Sequence, residues 1–249
     1  MSTTRTLSYG EHAAHVGDLQ LPDDVADPAM VVLVHGGFWR HEWRRDLMDG
    51  LAADLCRRGY ATWNIEYRRV GPTGGGWPQT CDDVVRAAST VSTLTDHKLD
   101  TSRLILLGHS AGAQLALRAA DALRAAAEPP VLVVAISGMP DLVAAARSGV
   151  GWGSVEAFLG GTPDTSPAAY GDATPIAHLP IGVPQLLVHG TVDRHVPFAQ
   201  SETYHRRAHD AGDPVELVPL DGVDHFAVID PTSAAWATTA AAIERLAPP

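Results

Sequence analysis

The chain has 249 residues, of which 45% are hydrophobic and 19% charged, and its formal net charge is −11. This length supports one large hydrophobic core and is too short for two α/β domains. A nucleic-acid-binding protein needs a basic face over the phosphates, so the acidic balance argues against a nucleic-acid partner.

Membrane, targeting and metal signals are weak. No apolar run approaches the roughly 20 residues of a membrane-spanning helix, and the N-terminus lacks the pattern of a secretory signal. Cys56 and Cys81 form no C-x-x-C pair, and His205 and His209 lack an H-E-x-x-H context. We expect a soluble, cytoplasmic protein without a cofactor, a metal ion or a membrane partner, and we leave a homodimer open.

Short apolar runs alternate with amphipathic helical stretches along the chain. The pattern predicts strands over residues 30–34, 60–65, 103–107, 131–136, 185–188 and 215–218. It predicts helices over residues 43–58, 78–97, 110–127, 198–211 and 233–246. Strands that alternate with helices of this length form right-handed βαβ units. We therefore predict a single α/β domain with a mostly parallel sheet and helices on both faces.

Residues 139–183 interrupt this alternation. The segment contains G-W-G at 151–153 and G-G at 160–161, and it is rich in proline. Inserted segments of this length are usually functional. We predict a small cap over the carboxyl edge of the sheet.

The strongest motif is G-H-S-A-G at 108–112, which follows the predicted strand 103–107 and precedes a predicted helix. This is G-x-S-x-G in the strand–turn–helix context that the motif requires. Glycines on both sides of Ser110 avoid clashes in the sharp turn, and the helix N-terminus favours developing negative charge. The motif predicts that Ser110 is the nucleophile of a serine hydrolase.

A second glycine-rich run, H-G-G-F-W, begins at His35 after the first strong strand. An oxyanion hole takes one amide from the residue after the nucleophile and at least one from this earlier loop. We predict that the amides of Ala111, Gly37 and Phe38 form the hole, with Gly36 as a weaker candidate. His35 is expected to hold the loop by a hydrogen bond rather than to carry a proton.

A serine hydroxyl needs a positioned imidazole, which in turn needs a carboxylate to orient it. In this architecture the chain order is serine, acid, histidine. His225 follows the last predicted strand and is the favoured base, with His195 as its main rival. Asp193 follows the penultimate predicted strand and is favoured as the acid over Asp141.

Together these segments resemble the α/β-hydrolase fold over residues 30–246. More narrowly, H-G-G-F-W resembles the H-G-G-x-W signature of kynurenine formamidases (arylformamidases), which also occurs in carboxylesterases. G-H-S-A-G-A-Q-L-A at 108–116 and D-H-F around His225 resemble further motifs of those formamidases, although Gln114 stands where they have histidine. The resemblance implies a triad of Ser110, Asp193 and His225. It also implies the oxyanion donors predicted above, which are the amides of Gly37, Phe38 and Ala111.

Aromatic residues are expected to line a substrate pocket under the cap, namely Trp39, Trp77, Trp152 and Phe158. With the resemblance, they favour a kynurenine formamidase that converts N-formylkynurenine to kynurenine and formate. A carboxylesterase for short-chain acyl esters is the alternative, so a small ester or amide is the expected partner. A ligand-binding protein that has lost catalysis is disfavoured because serine, acid and histidine are all present in order.

Overall fold

The structure is a computed structural model that describes residues 4–23, 25–94 and 99–249. Within these residues, one eight-stranded sheet has the order β1-β2-β4-β3-β5-β6-β7-β8. The strands are β1 (Arg5–Ser8), β2 (Val16–Gln20), β3 (Ala29–Val34), β4 (Ala61–Ile65), β5 (Asp100–His109), β6 (Leu132–Ile136), β7 (Gln185–Gly190) and β8 (Val215–Leu220). The pairs β1/β2 and β2/β4 are antiparallel, and the other five pairs are parallel.

All six strands that the sequence predicts are present, with small shifts at their ends. Strands β3, β4, β6 and β7 are buried along their whole length. Parallel strands covered on both faces are near-continuous apolar runs, which makes them easy to find. Strands β1 and β2 are not predicted from the sequence, because these antiparallel strands at one edge mix polar and apolar residues and do not form such a run.

Eight α-helices lie in the described residues. They are α1 (Asp49–Arg57), α2 (Gln79–Thr90), α3 (Ala111–Ala125), α4 (Leu142–Arg147), α5 (Ser154–Leu159), α6 (Pro167–Ala173), α7 (Ala199–Asp210) and α8 (Ala234–Leu246). None of these is long and apolar enough to cross a membrane.

Two predicted helices differ from the structure. The helix predicted over residues 43–58 begins as a 3₁₀ helix, Arg45–Met48, before α1. The helix predicted over residues 78–97 ends at Thr90 and continues as a short 3₁₀ helix, Val91–Thr93. Serine and threonine near this end compete for backbone hydrogen bonds and weaken the helix. Residues 95–98 of that prediction lie outside the described residues.

The core consists of two hydrophobic clusters, one on each face of the sheet. Alternate residues of β3 divide between them: Met30 and Val32 pack in one cluster, and Val31 and Leu33 pack in the other. This division follows from the two-residue period of a strand. The prediction of helices on both faces is therefore confirmed.

The inserted segment 139–183 contains α4, α5, α6 and a 3₁₀ helix, Pro175–His178. It is tied to the helices beneath it by side chains of α3. Gln114 Nε2 donates to the carbonyl oxygen of Ala173 at 2.8 Å, and Arg118 Nε donates to that of Asp172 at 2.8 Å. That the segment acts as a cap stays a prediction.

Candidate active site

Ser110 lies on the sharp turn between β5 and α3. Its backbone has φ 55° and ψ −120°, a conformation that non-glycine residues seldom adopt. The flanking glycines are required by close approach: a Cβ on Gly108 would lie 2.2 Å from the carbonyl oxygen of Gly112. A Cβ on Gly112 would lie 2.1 Å from the carbonyl oxygen of Val34. The turn therefore depends on glycine at both positions.

Two histidine contacts connect Ser110 to a carboxylate. The Nε2 atom of His225 lies 3.0 Å from Ser110 Oγ, and its Nδ1 atom lies 2.6 Å from Asp193 Oδ2. His225 comes from the loop after β8 and Asp193 from the loop after β7. A carboxylate only accepts, so Nδ1 carries the ring proton and the lone pair of Nε2 faces the serine hydroxyl.

Asp193 is surrounded by hydrogen-bond donors. Its Oδ1 atom accepts the backbone N–H groups of His195 at 2.8 Å and Val196 at 2.9 Å. Its Oδ2 atom also lies 3.3 Å from His189 Nε2. Burial alone would raise the pKa of Asp193, but hydrogen bonds from His189 and His225 outweigh it and hold this pKa well below its usual range. The side chain is therefore an ionised acceptor at neutral pH.

The rival residues have other positions. The ring of His195 stacks on that of His225, with centroids 5.0 Å apart, and it faces the cavity described below. Asp141 caps the N-terminus of α4, where its side chain accepts the N–H of Ala144 at 2.9 Å. The side chain of neither residue takes part in the hydrogen-bonded chain that ends at Ser110.

His109 is a buried residue at the site that the sequence analysis did not identify. Its Nε2 atom donates to the backbone carbonyl of His225 at 3.0 Å. Burial, assisted by the neighbouring His225, lowers the pKa of His109 to about 3, so the ring is neutral. The motif G-x-S-x-G allows any residue at its two x positions, so the sequence gives no reason to single out His109. His109 fixes the loop that presents His225.

The glycine-rich loop after β3 packs directly on the turn that carries Ser110. A Cβ on Gly36 would lie 2.9 Å from the Cβ of Ser110, so only glycine fits there. His35 anchors the loop: its Nε2 atom lies 2.9 Å from Glu66 Oε1. The ring of Tyr67 stacks on His35 at 4.2 Å, and its hydroxyl donates to the His35 carbonyl at 2.7 Å.

The next three residues of this loop turn their backbone into an unusual conformation. Gly37, Phe38 and Trp39 have φ values of 111°, 52° and 57°. The N–H of Arg40 closes the turn on the Gly37 carbonyl at 3.0 Å. Within the described part of the chain, no hydrogen bond engages the amide N–H of Gly37, Phe38 or Ala111. These groups are free to donate to a bound oxyanion.

A cavity of about 180 Å³ opens over Ser110. Its lining combines His225 with aromatic side chains, which are Phe38, Trp43, Trp152 and Phe226. Trp43 and Phe226 stack with centroids 6.2 Å apart, and both are partly exposed at 40% and 41%. The mouth of the cavity is therefore aromatic.

Of the four aromatic residues expected to bind substrate, the structure brings only Trp152 to this cavity. Trp39 and Phe158 stack face to face at 4.3 Å, and Trp77 meets Phe158 edge-on at 6.1 Å. The Nε1 atom of Trp39 donates to Gln114 Oε1 at 3.2 Å. Trp39, Trp77 and Phe158 lie outside the lining because they pack the inserted segment against the core.

Three further lining side chains, Trp43, Phe226 and Phe38, are not among the residues that the sequence predicts for the pocket. The place of Phe226 next to His225 is the one signal that points to it. The sequence predicts Trp43 at the start of a helix, although it lies in the loop before the 3₁₀ helix.

No group of three or more His, Cys, Asp or Glu side chains could hold a metal ion within residues 4–23, 25–94 and 99–249. His205 and His209 lie one turn apart on α7, with ring centroids separated by 6.4 Å.

Comparisons with known proteins agree with this architecture. The human acylamino-acid-releasing enzyme is 29% identical over 220 residues, which cover 79% of this chain and 28% of that enzyme. The chain thus spans less than a third of the length of this curated relative.

Among solved structures, a truncated carbohydrate esterase from gut microbiota matches with a TM-score of 0.85 and 19% identity, covering 99% of this chain and 96% of the other. A bacterial heroin esterase matches with a TM-score of 0.81 and 21% identity, covering 99% and 84%. These likenesses establish the α/β-hydrolase fold. The family profile of BD-FAE matches residues 18–207. Because this match spans most of the chain, the protein belongs to the BD-FAE family.

Proposed function

We propose that the chain is a serine hydrolase with Ser110 as nucleophile, His225 as general base and Asp193 as the orienting acid. The observation that carries the proposal is the continuous hydrogen-bonded chain, 3.0 Å from Ser110 Oγ to Nε2 and 2.6 Å from Nδ1 to Oδ2. Nucleophile, base and orienting group within hydrogen-bond reach are the geometric signature of nucleophilic catalysis.

In the acylation step, Ser110 Oγ attacks the carbonyl carbon of the substrate while its proton moves to Nε2 of His225. The tetrahedral intermediate collapses, and the leaving alcohol takes that proton from His225. A water molecule then attacks the acyl-enzyme, again with His225 as base, and releases the acid and Ser110. Asp193 stabilises the imidazolium that forms in each half-reaction.

Negative charge on the carbonyl oxygen is received by the amides of Gly37, Phe38 and Ala111. Their N–H groups form no hydrogen bond with the described residues, and Ala111 is the first residue of α3. Donors that are already oriented in a water-poor site stabilise the developing oxyanion without reorganisation. Loss of one such donor costs roughly 10²–10³ in kcat in related chemistry.

For the substrate, we propose a carboxylic ester with a short acyl group. A cavity of about 180 Å³ is small for a substrate pocket, and its aromatic mouth suits an apolar or aromatic group on the alcohol side. The similar solved structures named above are esterases. The kynurenine formamidase expectation rests on local motifs and on four aromatic residues, of which only Trp152 lines the cavity, so the carboxylesterase is the better-supported proposal.

The test combines active-site labelling with a substrate panel. A fluorophosphonate probe should label the wild type and Ser137→Ala, which removes another buried serine hydroxyl, but not Ser110→Ala. Removing the nucleophile of such a triad costs on the order of 10⁶ in kcat, so hydrolysis of 4-nitrophenyl acetate should vanish in Ser110→Ala. Retained labelling of that variant would overturn the assignment.

The panel compares kcat/KM for 4-nitrophenyl acetate, butyrate and octanoate with kcat/KM for N-formylkynurenine. We expect the short esters to be preferred over the octanoate and over the formamide. A preference for N-formylkynurenine by orders of magnitude would instead restore the formamidase hypothesis.

A further inference from the structure

Arg40 lies immediately after the oxyanion loop, and its side chain is held in a defined position. Its Nε atom donates to Ser154 Oγ at 2.7 Å, and its Nη2 atom donates to the carbonyl oxygen of Gly151 at 3.1 Å. Its backbone forms a bridge to Val70. Both side-chain contacts are with neutral groups, so they orient the guanidinium without neutralising its charge.

No ion pair involves Arg40 among the residues that the structure describes, and the two hydrogen bonds above are the ones that its side chain forms there. By contrast, Arg45 and Arg68, on neighbouring elements, each bind an aspartate at 2.7 Å or less. A partly buried arginine without a carboxylate keeps its charge and several N–H donors available for a ligand.

The position of Arg40 connects it to the reaction site. It lines the cavity over Ser110 and also a second cavity of about 250 Å³, which shares the side chains of Phe38 and Trp152 with the first. Among the described residues, neither lining contains an aspartate or glutamate. Arg40 is therefore the one permanent positive charge in the described lining of each cavity, in a chain whose formal net charge is −11.

We propose that Arg40 is a specificity-determining residue that binds a carboxylate group of the substrate, so that the enzyme prefers esters carrying a carboxylate. This inference rests on the proposed function. A planar guanidinium matches the two oxygens of a carboxylate, and such charge-assisted bonds are about twice as strong as neutral ones. An Arg40–carboxylate bond formed in the transition state would raise kcat/KM by roughly ten- to hundred-fold over a neutral isostere.

The experiment measures kcat/KM for two matched pairs of esters. With the charge on the alcohol side, 4-acetoxybenzoate is compared with 4-acetoxybenzamide. With the charge on the acyl side, mono-4-nitrophenyl fumarate is compared with its primary amide, whose trans geometry likewise prevents intramolecular attack. Each value is divided by the rate of hydroxide-catalysed hydrolysis of the same ester, which removes differences in intrinsic reactivity.

We expect the wild type to favour the carboxylate in at least one pair by roughly tenfold or more, and the pair shows which side of the ester Arg40 binds. In Arg40→Gln the ratio of kcat/KM for the carboxylate ester to kcat/KM for the neutral amide should fall to about one, whether or not kcat/KM for the neutral ester changes. Arg207→Gln, which removes an exposed positive charge on α7, should keep the wild-type ratio. Raising the salt concentration should lower the ratio in the wild type, because the charges are partly exposed to solvent.

A ratio near one in the wild type for both pairs would overturn the proposal, and so would a ratio that survives in Arg40→Gln. If that variant does not fold, inhibition of the wild type decides: benzoate must compete with 4-nitrophenyl acetate more strongly than benzamide does. Failure of the proposed function is distinguishable, since then Ser110→Ala would retain fluorophosphonate labelling or ester hydrolysis.

Discussion

Substitution of Asp193 by Asn tests the orientation of the imidazole with little change in side-chain size. The remaining oxygen can still accept the backbone N–H groups of His195 and Val196, so the loop after β7 keeps its hydrogen bonds. The new NH₂ group then faces Nδ1 of His225, which in the native chain donates to Asp193 Oδ2 at 2.6 Å. Because an amide NH₂ only donates, Nδ1 must become the acceptor and the ring proton must move to Nε2.

The changed tautomer removes the acceptor that lies 3.0 Å from Ser110 Oγ. In serine proteases the same acid-to-amide change lowers kcat by roughly 10⁴ through the wrong tautomer. At about 1.4 kcal/mol for each factor of ten, this loss corresponds to about 5.5 kcal/mol of transition-state stabilisation. We expect a loss of this order because His225 contacts both Ser110 and Asp193 directly, at hydrogen-bond distance.

The measurement is kcat for 4-nitrophenyl acetate, with circular dichroism to show that the variant is folded. Asp141→Asn is the matched control, because Asp141 caps α4 outside the hydrogen-bonded chain that ends at Ser110. The control should stay close to the wild type. An Asp193→Asn variant that is folded and keeps more than about a tenth of kcat would refute the tautomer argument.

Three further results are expected. Gly36→Ala should lower kcat strongly, because the added Cβ would lie 2.9 Å from the carbonyl oxygen of His109. The control Gly171→Ala should keep the wild-type kcat, because nothing lies within 4 Å of the added Cβ. Equal kcat values for the two variants would contradict this prediction. His109→Phe should lower kcat by about tenfold, since it removes the hydrogen bond to the His225 carbonyl and leaves that buried acceptor unpaired; an unchanged kcat in the folded variant would exclude a positioning role. The pKa of Asp193 lies below its usual range, so the carboxylate stabilises the fold above the unfolded-state pKa of about 4 and this contribution is lost at lower pH. In urea denaturation, the stability deficit of Asp193→Asn at pH 7 should therefore shrink on acidification, and a deficit independent of pH would contradict the pKa shift.

The parallel part of the sheet could be predicted because its strands are buried on both faces and form uniform apolar runs. The strands β1 and β2 could not, since residues such as Arg5 and Asp18 give them the composition of loops. Their strand character arises from antiparallel pairing: β2 pairs with β4, which is a long-range contact, and β1 pairs with β2. The predicted end of α2 is also wrong. The helical periodicity of the sequence continues past Thr90, although the regular helix ends there.

The positions of Ser110, Asp193 and His225 follow from chain order and strand ends, and the structure brings these three residues together. The pocket was harder to predict, because whether a tryptophan faces a cavity or a neighbour depends on packing. Trp39 packs flat on Phe158, although it lies next to the free amide of Phe38. Nothing in the sequence distinguishes its role from that of Trp152.

The order of the site residues along the chain also affects when the site can form during synthesis. His225 lies 115 residues after Ser110, and it reaches the serine only when β7 and β8 have joined the sheet. The chain is synthesised at about 5–20 residues per second, so Ser110 precedes His225 by roughly 6–23 seconds. Throughout that interval the proposed nucleophile lacks the imidazole proposed as its base, so we expect the unfinished chain to be inactive in the proposed hydrolysis.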